Sequence, residues 1–306
     1  MSDATKGLIA MIGACIIWGL SPIAFRAMTG IPPLEVLAHR GIWSLVIFAV
    51  VLLLQGRIFE LWTALTHRQN LLLISTAACL IMGGWWLFIW AVQTGKTTQT
   101  ALGFYIFPLV AVLFGRVIFG ERLSPLRWAA VAMVGLAALL LTYGAGTAPW
   151  IALILATNFA LYGVIKKRLD MGPVVSVTAE VLIMAPVLVL ILWQSSHNSA
   201  GHFGGWNSDT ALLIFAGPLT AIPLILFSYA TRRLTMTSTG LISYINPTLQ
   251  FFCAVALFME PFTTWHGVAF ALIWAALALY SWASYGAENA ATRPASAASA
   301  SGTRSR

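Results

Sequence analysis

The sequence predicts an all-α integral membrane protein with ten transmembrane helices arranged as two inverted five-helix repeats. Three observations predict it. Of 306 residues, 59% are hydrophobic and only 8% are charged, whereas a soluble globular domain carries about 25% charged residues. The apolar residues fall into ten stretches, each close to the roughly 20 residues that a spanning helix needs. The chain also resembles itself at an offset of 139 residues. So few charges exclude a water-soluble enzyme, a nucleic-acid-binding domain and a disordered chain. The net charge of +8 does not argue for a nucleic acid, because the basic residues stand scattered between apolar runs.

The ten expected spans are 7–28, 34–55, 70–93, 98–119, 125–144, 149–167, 173–193, 210–231, 237–258 and 264–285. Span 1 follows a short polar start with no A-x-A-like cleavage site, so it reads as a retained helix rather than a removed signal. Spans 4 and 9 carry mid-span prolines, Pro108 and Pro247. Each removes a helix hydrogen bond and is expected to kink its helix and act as a hinge. Pro186, Pro218 and Pro223 are further hinge candidates in spans 7 and 8. Spans 5 and 10 are rich in Ala and Gly and are expected to serve as scaffold, with a homo-oligomer contact as one role. All runs are too continuous for an outer-membrane barrel, whose strands alternate apolar and polar residues. The longest loop, 194–209, is rich in Ser, Asn, His and Gly, and the tail 287–306 is Ala/Ser-rich and basic. That tail is expected to be disordered and cytoplasmic.

Orientation follows from Lys and Arg, which concentrate in cytoplasmic loops. With the N-terminus inside, Lys6, Arg57, Arg68, Arg116, Arg122, Arg127, Lys166, Lys167, Arg168, Arg232, Arg233, Arg293, Arg304 and Arg306 fall inside. Only Arg26, Arg40 and Lys96 fall outside, a division of 14 against 3. Both termini are therefore expected in the cytoplasm.

The repeat is clearest between 87–121 and 226–260, where 11 of 35 positions are identical. Apolar helices share Leu, Ile and Ala by composition. The common Tyr105/Tyr244, Pro108/Pro247 and Glu121/Glu260 are more specific. Equivalent positions lie five spans apart, an odd number, so the halves have opposite topologies. Inverted repeats of this kind build the alternating-access machinery of secondary transporters, with the substrate between the halves.

Several motifs also carry a resemblance. His39-Arg40-x-x-Trp43-Ser44, Trp86-Leu87-Phe88-Ile89-Trp90, Leu102-Gly103-Phe104-Tyr105-x-x-Pro108, Gly120-Glu121-Arg122 and Tyr244-x-x-Pro247-Thr248 stand in the order and spacing of the RarD group of EamA-type drug/metabolite transporters, which the chain resembles from about residue 7 to 285. The resemblance implies two EamA-like repeats, here 7–144 and 149–285, in a bacterial inner-membrane permease. The group is expected to place Asn before the span 4 proline. This chain has Phe107 there and keeps Asn246 before Pro247, so the pocket is expected to be more apolar on the Phe107 side.

Ionisable groups inside spans are functional candidates, because inserting them costs about 2.5–3.5 kcal/mol. Arg40, beside His39, lies in span 2 and Glu180 in span 7, near-equivalent positions of opposite charge. Glu180 is a candidate proton-coupling group. Arg40 is a candidate holder of a substrate anion, with snorkelling to the interface as the structural alternative. Glu35, Glu121 and Glu260 sit at span ends, where they are expected to fix loops or cap helices rather than bind substrate. Trp18, His39, Trp86, Trp90, Tyr105, Asn158, Tyr162, Tyr244 and Asn246 are the remaining candidates for substrate binding. Asn158 needs a partner in hydrocarbon, either a cavity or a helix–helix bond. Trp62, Trp128, Trp150, Trp206 and Trp265 fit interfacial belts. Cys15, Cys79 and Cys253 form no CxxC pair and read as small buried hydrophobes. No cofactor or metal set is read. The absence of a P-loop motif leaves an ion or substrate gradient as the energy source. The expected function is a secondary active permease for a small organic metabolite or drug-like molecule. A passive facilitator is the alternative, and a membrane enzyme lacks clustered catalytic residues.

Overall fold

A computed structural model of the chain describes residues 2–120, 123–145, 148–197, 201–205 and 207–292. Glu121, Arg122, Trp206 and the tail beyond 292 lie outside the described residues. The regular elements of the described chain are helices, and ten helical spans are long and apolar enough to cross a membrane. The helices are α1 (Asp3–Ala27), α2 (Pro33–Leu54), α3 (Ile58–Thr66), α4 (Arg68–Gln93), α5 (Thr97–Phe119), α6 (Pro125–Ala145), α7 (Trp150–Lys167), α8 (Pro173–His197), α9 (Ser208–Phe215), α10 (Pro218–Thr231), α11 (Met236–Ser243), α12 (Ile245–Phe252) and α13 (Thr264–Thr292).

Their ends are set by local chemistry. Ser2, Asn207 and Thr235 accept the free N–H groups at the starts of α1, α9 and α11, as N-cap residues do. Gly120 ends α5 in the left-handed region, where an added Cβ would be strained.

Three features differ from the expected spans, while spans 8 and 9 break near Pro218 and Pro247, where a hinge and a kink are expected. The loop after span 2 folds into α3, which buries Leu61 and Ala64 and exposes Phe59 and Trp62. Its nine residues are too few for a spanning run. Span 8 is two helices meeting at Ala216–Gly217, with Pro218 opening the second. Span 9 breaks at Tyr244 and then ends in a π-helical turn, Cys253–Leu257. By contrast, Pro108 and Pro186 sit inside helices that continue unbroken. Finally, α13 runs to Thr292, so the first residues of the expected disordered tail are helical.

The main helix contacts recur when the two halves are exchanged. Span 1 (α1) packs on spans 8 and 9 (α10 and α12), and span 6 (α7) packs on spans 3 and 4 (α4 and α5). Spans 2 and 7, 4 and 9, and 5 and 10 each pack on their own counterpart. Two of the resulting apolar cores are large. One joins α1, α2, α4, α8 and α10 through Phe25, Phe48, Ile89, Val175 and Leu219. The other joins α5, α6, α7 and α13 through Leu109, Ala137, Ala156 and Phe270. Cys15 and Cys253 are buried as expected, whereas Cys79 is exposed on the outer surface of α4.

Met259 has φ +54° and is the described non-glycine residue with positive φ. It stands at the repeat offset from Gly120, whose φ is +68°. Both halves thus make the same left-handed turn before a glutamate, one with Gly and one with a residue that carries a Cβ. A left-handed non-glycine residue costs about 1–2 kcal/mol, and the Met259 side chain is 80% exposed. Met259→Gly is therefore expected to stabilise the protein by about 0.5 kcal/mol, after the entropy Gly loses on folding. An unchanged or lowered melting temperature in detergent would refute this.

Candidate functional site

Two cavities lie between the cores. The first, of ≈ 240 Å³, is walled by α1, α2, α4, α5, α7, α8, α10 and α12, with Trp18, Arg40, Trp85, Phe88, Phe104, Phe159, Tyr162, Thr220, Asn246 and Gln250 among its residues. The second, of ≈ 450 Å³, is lined by Cys15, Phe107, Pro108, Phe227, Ser243, Tyr244, Pro247 and Tyr280. Trp18, Phe104 and Asn246 belong to both and form the partition between them. The residues of the second cavity lie towards the membrane face that carries the start of α1. Phe107 and Asn246 stand on its wall at equivalent repeat positions, one apolar and one polar.

Arg40 reaches the first cavity from α2 and is only 6% exposed. It does not snorkel. Its Nε donates to Thr220 Oγ1 at 2.7 Å, and that hydroxyl donates onward to the Ala216 carbonyl. The guanidinium lies over the Trp85 ring at 4.3 Å and near Phe25 at 5.3 Å. Its Nη1 is buried without a hydrogen-bond partner.

Glu180, fully buried, does not meet Arg40. Its Oε1 accepts from Lys166 Nζ at 2.7 Å and Ser176 Oγ at 2.9 Å, and its Oε2 accepts from Tyr162 at 2.9 Å. Lys166 also donates to Ser176 Oγ. Sequence reasoning assigned Lys166 to the cytoplasmic interface and missed this ion pair. A signal was present: Lys166 and Glu180 stand 14 residues apart, as do Arg26 and Arg40, and the two pairs are offset by 140. Both first-half members are cationic and cannot pair. Arg26 instead donates to the Val92 and Gln93 carbonyls at the end of α4.

Arg40 and Glu180 are also not the only buried charges. Glu35 and Glu260 are buried too. Glu35 accepts from Ser195 Oγ, His202 N and His202 Nδ1. Glu260 accepts from the backbone N–H of Thr97 and Thr98 and from Thr98 Oγ1, at 2.7–2.8 Å. The span-end glutamates within the described residues thus cap and tie, and both ties join the two halves on one membrane face.

The other predicted residues divide. Trp18, Tyr162 and Asn246 line the first cavity, and Tyr244, Pro108 and Pro247 the second. Tyr105 lies behind Tyr244, its ring stacked at 6.4 Å and its hydroxyl paired with Thr248 Oγ1 at 2.7 Å. His39 lines neither cavity, because its ring stacks on Phe203 at 4.5 Å. Asn158 lines neither, because its Nδ2 donates to the Leu80 carbonyl on α4. Trp86 and Trp90 stack on each other, and Lys96 lies over Trp90. The cavity face of α4 is instead Ile81, Trp85 and Phe88, a set at i, i+4, i+7. The Trp86/Trp90 motif drew attention to the opposite face. Gln250 was also missed, although its spacing of four residues from Asn246 marks one helix face. Its amide donates to Asn246 Oδ1 at 2.8 Å. Among the described residues, no group of three His, Cys, Asp or Glu side chains is placed to hold a metal ion.

Comparison with known proteins agrees with this architecture. The profile of the EamA-like transporter family matches twice, at residues 5–143 and 147–282. An uncharacterized transporter of Vibrio cholerae is 35% identical over 282 residues, covering 91% of this chain and 93% of that protein. Protein RarD of Streptomyces exfoliatus is 36% identical over 282 residues, covering 92% and 90%. Protein RarD of Escherichia coli K12 is 34% identical over 276 residues, covering 90% and 93%. A crystal structure at 20% identity aligns over 94% of this chain and 100% of that one with a TM-score of 0.61, a likeness of fold alone. The chain belongs to the EamA-like transporter family, as a RarD-type member.

Proposed function

We propose that the protein is a secondary active transporter of a small organic solute, working by alternating access of two inverted repeats in a bacterial inner membrane. The observation that carries the reading is the first cavity, enclosed by four spans from each half and lined by aromatic rings around a few polar groups. Pockets of that composition are the usual small-molecule sites, and a site between repeats is where rocking exposes it to each side in turn. With the termini in the cytoplasm, the Glu35 and Glu260 ties close the outer face and the second cavity is an inner vestibule. Asn246, Trp18 and Phe104 then form the partition a solute passes, beside the broken helix of span 9. Glu180 is the coupling group in this reading, since protonating it would release Lys166 and Tyr162 together. Spans 5 and 10 form the scaffold.

The test is solute counterflow in proteoliposomes, with Leu224→Trp as the control variant. Leu224 stands on the wall of the first cavity, and an indole there fills it. Counterflow by the parent protein and its loss in a folded Leu224→Trp protein are expected. Equal flux in the two would move the transport path elsewhere. Flux that never accumulates solute under any ion gradient would leave a passive facilitator.

A further inference from the structure

We propose that the first cavity selects a small monocarboxylate with a flat apolar body, and discriminates against amines, zwitterions and dianions. This rests on the transporter reading and gives its substrate a chemical class.

The first observation is the charge of the cavity. A guanidinium stays protonated in proteins, so Arg40 brings one positive charge to the wall. No acidic side chain among the described residues pairs with it. Glu180, the carboxylate nearest in sequence logic, is already held by Lys166, Ser176 and Tyr162. A buried cation with no counter-charge is costly, and an anion entering the cavity removes that cost.

The second observation is orientation. Thr220 fixes Nε, and Trp85 covers the guanidinium plane. Nη1 is left as a buried donor with no partner. Arg40 itself stands on the cavity wall, and a guanidinium fixed there matches the planar geometry of a carboxylate. Its neighbours, the Thr220 hydroxyl and the Trp85 and Phe25 rings, are uncharged, so a single positive charge would be met by one negative charge. A phosphomonoester dianion would bring a second charge with nothing to match it.

The third observation is the rest of the wall. Trp18, Trp85, Phe88, Phe104, Phe159 and Tyr162 present ring faces and edges, which suit a ring or a flat chain. The volume of ≈ 240 Å³ is below the roughly 300–1,000 Å³ of drug-sized pockets. One ring and a carboxylate fit that space. An α-amino acid of the same size would carry an ammonium into a wall with no free carboxylate, so its affinity falls.

The experiment is titration calorimetry on the purified full-length protein in detergent. The probes are phenylacetate, its neutral isostere phenylacetamide, phenethylamine, phenylalanine and phenyl phosphate. Phenylacetate is expected to bind about tenfold or more tighter than each of the others, the scale of one hydrogen bond to a charged group. Arg40→Gln is expected to abolish that preference and Arg40→Lys to retain part of it. The preference of the parent protein needs no variant, so a misfolded Arg40→Gln protein does not spare the proposal. Binding of the amide or amine as tight as the carboxylate would overturn it, as would no measurable binding of the carboxylate. Counterflow is scored separately. Carboxylate binding without counterflow would remove the transporter reading and leave the selectivity. Counterflow of neutral or cationic solutes that survives Arg40→Gln would keep the transporter and overturn the selectivity.

Discussion

Glu180→Gln protein reconstituted into vesicles is expected to lose pH-gradient-driven uptake while still folding. The carboxylate is fully buried and takes three side-chain hydrogen bonds, one from a lysine on the neighbouring span. Gln keeps the shape and an acceptor but cannot gain or lose a proton. It also leaves the Lys166 ammonium without a counter-charge. Removing one partner of a buried pair costs about 3–5 kcal/mol. The Lys166 side chain is 21% exposed, which places the loss near the low end, about 3 kcal/mol. The double variant Glu180→Gln, Lys166→Met removes both charges and is expected to recover most of the melting temperature without recovering coupling. Thermal unfolding in detergent measures the first effect, and uptake under an imposed pH gradient measures the second. Undiminished proton-driven uptake by Glu180→Gln would take Glu180 out of the coupling role and leave the pair as a structural tie between α7 and α8.

The second large effect is expected at Glu260. Its two carboxylate oxygens accept three hydrogen bonds from Thr97 and Thr98 at the start of α5. The first N–H groups of a helix have no partner within it, and a carboxylate there also meets the positive end of the helix dipole. Glu260→Ala would leave those donors buried, at about 1–3 kcal/mol for each unsatisfied group. A total loss of about 3 kcal/mol is expected, partly relieved in Glu260→Gln, which retains acceptors. The bond also spans the two halves. Glu260→Gln is therefore expected to favour the conformation open on that face, read as faster labelling of a cysteine placed at Ser21 from the Glu260 side. Loss of stability without any change in labelling would make Glu260 a helix cap with no part in gating.

Much of this protein was legible in one sequence. Membrane spans follow from length and apolarity, because backbone groups in lipid must be satisfied inside the helix. The repeat was legible because Tyr105/Tyr244 and Pro108/Pro247 recur at one spacing in otherwise bland helices. Glu260 was legible as a cap, since a helix start in any context needs acceptors, and Glu35 as a loop tie. What sequence periodicity does not carry is which face of a helix looks inward when nearly every face is apolar. Trp86 and Trp90 were plausible for that reason, and only packing of α4 against α7 and α8 turned Trp85 and Phe88 to the cavity instead.

The charges with which the sequence argument began show the same division. Their scarcity alone determined that the chain lives in a bilayer, and their distribution predicted its orientation. Their partners were decided by the tertiary structure. Lys166 counted as one more inner positive charge until α7 and α8 brought it to Glu180. Arg40 and Glu180 looked like a pair of opposite charges at matching positions, yet each is held by other groups. The reason is physical: a buried charge is satisfied by the atoms within about 3 Å of it, and sequence spacing fixes those only along one helix. Across helices they are fixed by packing, and packing set Arg40 on the cavity wall with one buried donor unpaired.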